Sequence, residues 1–108
     1  MLHEEIKSAG VMRTVACQLC DDLRQELDIY DSYTVEKDVM ERQTNVYIYS
    51  DVHCSILTSS CVDTLKKVVQ VYRMKYEGTT YCVTTITKGE GEDRRIIPAI
   101  EISIRLVE

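Results

Sequence analysis

The chain reads as an α+β protein, a two-layer αββαββ sandwich in which a four-stranded, mostly antiparallel sheet carries two amphipathic helices on one face. Three observations predict it. Two segments, about residues 4–28 and 60–77, place apolar residues at three- and four-residue spacing. Each is followed by a stretch in which apolar and polar residues alternate. Polar or glycine-containing turns divide those stretches into hairpins. A length of 108 residues suits a single domain spanning 1–108, and a chain of that size buries roughly two-thirds of the surface its unfolded form exposes.

The first helix rests on Met12, Ala16, Leu19, Cys20, Leu23 and Leu27. Glu4 and Glu5 suit the positive end of its dipole and Gly10 marks a weak first turn, while Glu26 and Asp28 fall at the end where acids are unfavourable. From about 32 to 54 the period becomes two. Tyr33, Val35 and Val39 oppose Thr34, Glu36 and Asp38; after a turn at Arg42–Asn45, Val46, Ile48 and Val52 alternate with Tyr47, Tyr49 and His53. That is a β-hairpin.

Ser59 or Ser60 offers an N-cap for the second helix, with Asp63 three residues after Ser60. Val62, Leu65, Val69, Tyr72 and Tyr76 form its stripe, and Gly78 is placed to end it. β-Branched residues lower its intrinsic propensity, so packing must hold it. The last hairpin, about 79–107, opens with the threonine-rich run Thr79–Thr87 and turns at Lys88–Arg95. It closes on the firmest pattern in the chain, Ile100, Ile102, Ile104 and Leu106 against Glu101, Ser103 and Arg105. Pro98 cannot donate to a ladder and belongs at a strand's beginning or on a sheet edge. The two helix-plus-hairpin units form a structural pseudo-repeat without residue-level identity.

Hydrophobic residues make up 44% of the chain and charged residues 29%, an ordinary globular balance. Neither Phe nor Trp occurs, so the seven tyrosines are the only large rings. No apolar run is long enough for a membrane span and no leader pattern opens the chain. Five cysteines, an odd number, suit reduced thiols and a cytoplasmic location. The net charge of −5 is concentrated between residues 21 and 41, where eight acids face two bases. Such a patch either keeps the protein soluble or steers it toward a basic partner.

Cys17 and Cys20 have Cys-x-x-Cys spacing, but they lie mid-helix, away from the helix N-terminus that activates redox thiols, and no second pair completes a zinc site. They read as core or boundary residues. His53 and Cys54 are neighbours on a strand and point to opposite faces. The acids between Asp21 and Glu41 lie in a polar segment unsuited to raising a carboxyl pKa, and those of Lys88–Asp93 would repel a phosphate. No cofactor is expected.

Tyr47 and Tyr49 carry the main functional expectation. They occupy the face of their strand opposite Val46 and Ile48, so a sheet with helices on one side presents aromatic surface on the other. The leading reading is a small non-enzymatic interaction or structural subunit that self-associates, or binds a protein partner, through that open face. Asp21, Asp22, Glu26 and Asp28 supply an accompanying acidic patch. The alternative is a nucleic-acid-binding module in which the tyrosines stack bases while Lys66, Lys67, Arg73, Arg94 and Arg95 contact phosphates. A third reading is a thiol- or metal-dependent enzyme built on Cys17, Cys20, His53 and Cys54.

Overall fold

A computed structural model describes residues 2–27, 33–50 and 59–105, with side chains from residue 10 in the first stretch and from residue 61 in the third. The element order is α1 (Leu2–Glu26), β1 (Tyr33–Val39), β2 (Gln43–Ser50), α2 (Ser59–Lys75), β3 (Gly78–Lys88) and β4 (Arg95–Arg105), with a one-turn 3-10 helix at Gly91–Asp93 between the last two. All pairings are antiparallel and the strand order is β1-β2-β4-β3. The second strands of the two hairpins meet at the centre, so the order has the pseudo-two-fold symmetry that two helix-plus-hairpin units would generate.

One face of the sheet builds the main core. Val35, Val46, Ile48, Ile100, Ile102 and Ile104 share one face of the sheet by register, and that face meets Met12, Val15, Leu19, Leu23 and Leu27 of α1 and its C-terminal extension, and Cys61, Leu65, Val68, Val69 and Tyr72 of α2. Both helical stripes are therefore buried on the same side. At ~25 cal/mol per Å² of apolar area removed from water, this is the dominant stabilising term.

Two local expectations change and a third is refined. α1 begins at Leu2, so Gly10 lies well inside it rather than in the first turn; there its carbonyl accepts from the Thr14 hydroxyl at 3.0 Å. Gly78 opens β3 instead of capping α2, and it is absent from the glycines with positive φ. Thr79 ends α2 in its place: its N–H and its hydroxyl both donate to the Tyr76 carbonyl, at 3.2 and 2.7 Å. Pro98, the fourth residue of β4, lies on a local sheet edge, one of the two places expected for it. The site tolerates it because β2 pairing stops at Ala99, leaving residues 95–98 bonded to β3 alone. The side chains of Ser59 and Ser60, the expected caps, lie outside the described residues.

Candidate interaction surface

Strand alternation puts Tyr47 and Tyr49 on the sheet face away from the helices, opposite Glu36 and Thr34 of β1. Tyr49 is nevertheless only 2% exposed. It forms a second small core with Ile97 and Ala99, against which Ile86 packs. Its hydroxyl donates to Glu36 Oε1 at 2.5 Å, and Lys88 Nζ lies 5.3 Å over its ring and 2.8 Å from the same Glu36 oxygen.

The Glu36–Lys88 contact reveals the shape of the sheet. Strand order and register place these residues on opposite edges, three strand spacings or about 14 Å across the sheet and a further ~20 Å along it if the sheet were flat. Side chains standing up from such a sheet do not cross that gap. The outer part of the long β3–β4 hairpin therefore coils over the open face, and Glu36, Tyr49 and Lys88 clasp it there. Tyr49 is covered by its own chain, and the aromatic surface expected on this face reduces to the half-buried Tyr47. Around Tyr47 the face is a polar lattice: Gln43 donates to Asn45 and Ser103 at 2.9 and 3.0 Å, and Asn45 to the Tyr47 hydroxyl at 3.4 Å.

Coiling leaves the opposite side of the arm bare. Tyr81, Val83 and Ile96 stand on the helix-facing side of the sheet by register, beyond the cover of α2, at 39%, 76% and 67% exposure. Among the described residues the outer edge of β3 is bare as well. Residues 80–83 are all exposed, and from Gly78 to Thr87 the strand carries neither charge nor proline, the usual devices against edge pairing.

The phase of that edge follows from Pro98. Without an N–H it cannot exchange both bonds with its partner Thr85, so odd-numbered residues of β3 direct their backbone groups away from β4. Thr79 agrees: its N–H goes to Tyr76 and its carbonyl accepts from Arg73 Nε at 3.2 Å, both outside the ladder. Tyr81, Val83, Thr85 and Thr87 therefore offer outward N–H and C=O groups to which the described residues supply no strand.

The acidic segment is partly used internally. Asp22 accepts from the Tyr72 hydroxyl at 2.5 Å, and burial first, then this bond, pushes the Tyr72 phenol up. Asp22, Gln25 and Glu26 line one wall and Val68, Val71 and Tyr72 the other of a shallow groove of about 200 Å³. Asp21 is exposed with Arg24 3.9 Å away, and Asp28 lies outside the described residues.

The basic residues do not make one surface with the tyrosines. Lys66 and Lys67 are exposed on α2, Arg73 is bonded to the Thr79 carbonyl, and Arg94 and Arg95 follow Glu90, Glu92 and Asp93 at the arm's tip. Burial of Tyr49 removes a stacking ring from that reading. Cys20 sits in the core, where burial pushes its thiol up, and Cys17 accepts from Lys37 Nζ at 3.2 Å. His53 and Cys54 lie outside the described residues, among which no cluster of metal-ligating side chains occurs and no helix is long and apolar enough to cross a membrane. No protein-family model matches the chain, and no curated protein matches its sequence.

The bare edge was missed in the sequence reading, although its signal is visible there: a ten-residue stretch from Gly78 to Thr87 without charge or proline. What the pattern lacks is strand order, which alone makes β3 an edge.

Proposed function

We propose that the chain is a small non-enzymatic interaction subunit that self-associates, and that its contact surface is the β3 edge with the uncovered side of the β3–β4 arm rather than the tyrosine face. One observation carries this reading. An edge strand with four consecutive exposed residues, free of charge and proline, continues into an apolar stripe at Tyr81, Val83 and Ile96. Such an edge is a template for another strand, and isolated proteins ordinarily blunt it. A cytoplasmic setting fits the reading, since none of the four described cysteines is in a disulfide.

Size exclusion with light scattering over a wide concentration range tests it. The wild-type chain is expected to run as a dimer or larger species. Val83→Lys, which puts a charge on an exposed side chain of the edge, is expected to run as a monomer that still unfolds cooperatively, at a melting temperature independent of concentration. A wild-type chain that stays monomeric at the highest concentration overturns the proposal.

A further inference from the structure

We infer that the partner of the β3 edge is the β3 edge of a second copy, paired antiparallel about a two-fold axis through Thr84, so that two four-stranded sheets become one of eight strands. The inference rests on the self-association proposed above and specifies its geometry.

Symmetry limits the choice. In an antiparallel pair directly opposed residues share a face, so a two-fold axis normal to the sheet must pass between a residue and its own copy. The available backbone groups then select which residue. Those of Thr79 are already used by Tyr76 and Arg73, leaving Tyr81, Val83, Thr85 and Thr87. Only an axis at Thr84 matches all of them, Val83 with Thr85 and Tyr81 with Thr87 in each direction. Each such pair exchanges two bonds, about eight in total, close to the roughly ten of a typical interface. An axis at Val83 leaves Thr87 opposite the occupied Thr79, and one at Cys82 satisfies fewer groups still.

An axis at Thr84 sets the arm's tip beside the end of α2 in the other copy, so that Glu90, Glu92, Asp93, Arg94 and Arg95 of one chain approach Arg73, Lys75 and Glu77 of the other, a mixed-charge contact that occurs twice by symmetry. Val83 and Tyr81, exposed in the single chain, gain Thr85 and Thr87 as cross-strand neighbours on the helix side.

Cysteine crosslinking reads the register directly in the full chain. With Cys17, Cys54 and Cys82 replaced by Ser, Thr84→Cys places two thiols across a non-hydrogen-bonded pair with Cα atoms about 4.5 Å apart, inside disulfide range. Added diamide, taking two electrons and two protons from the thiols, should convert it to a covalent dimer. A chain that keeps Cys82 and Thr84 should not crosslink through Cys82, whose copies lie four residues out of register, about 13 Å along the strand.

Val83→Pro gives an independent arm. It removes an outward N–H, so the far-UV spectrum and cooperative unfolding should persist while the dimer, and with it any rise of melting temperature with concentration, is lost. Crosslinking through Cys82 in the chain that keeps it, with none in the Thr84→Cys variant, overturns the register and leaves self-association standing. A Val83→Pro chain that is folded and still dimeric overturns edge pairing. A wild-type chain that is monomeric at all concentrations removes both.

Discussion

Glu36 accepts from two donors belonging to different hairpins, the Tyr49 hydroxyl and Lys88 Nζ. Lys88 first, then Tyr49, holds its carboxyl below the usual glutamate range; burial first, then donation to Glu36, pushes the Tyr49 phenol up. The residues form one network, so deletions within it are not additive. Tyr49→Phe keeps the buried ring and removes only the donor. It is expected to cost about 1.5 kcal/mol in urea unfolding, the low end for a bond to a charged group because the carboxylate is partly exposed. Glu36→Gln should cost a similar amount, and the double variant less than both together; full additivity would show that the two side chains do not couple. Alternation along β2 placed Tyr49 on the correct face, but its cover was not legible. That cover depends on Lys88, fifty-two residues from Glu36, and on the coil of a hairpin, and neither leaves a period in the sequence.

Among the elements, the arm's turn is the most sharply specified. Gly89 has φ +86°, and a Cβ there would stand 2.4 Å from the Asp93 carbonyl oxygen, a backbone atom that cannot swing aside. Gly91 has φ +60° but open space around it. Gly89→Ala should therefore destabilise by about 2 kcal/mol or more and Gly91→Ala by about 1, the left-handed penalty alone. Chemical denaturation of both variants checks the order, and equal losses would show that the Asp93 contact is relaxed at no cost. The sequence placed this turn well because glycine and charge mark it. It misplaced the end of α2, since Gly78 and Thr79 are adjacent and either can close a helix; the Thr79 hydroxyl takes the role. The type of both α-helices and all four strands was legible, most directly where an element buries one face and so carries a period of its own, and for β3 from its β-branched composition; the 3-10 turn at Gly91–Asp93 buries nothing and was not. Strand order was not, because pairing partners are set by tertiary contact.

For the molecule as a whole, these groups bracket a pH range of stability. The folded state favours ionised Glu36, so its contribution is present above the ordinary glutamate value of 4.5 and is lost as the pH falls through the lowered folded value. It also favours neutral Tyr72, so that contribution is present below the ordinary tyrosine value of 10.0 and declines as the pH rises past it. Melting temperature is thus expected to be nearly flat between about pH 5.5 and 9 and to fall on either side. The acid limb has a particular structural consequence. Protonated Glu36 no longer holds Lys88, and the arm that carries the β3 edge loses its clasp on Tyr49. Folding stability and self-association should therefore weaken together as the pH drops from about 5 to 3. Lys88→Met, which removes the cation that contributes most to the lowered Glu36 value, should flatten the acid limb while leaving the alkaline limb unchanged. Melting curves and light scattering across that range, on wild type and variant, decide the matter. An acid limb equally steep in Lys88→Met would place its origin in other carboxylates and remove the clasp from the account.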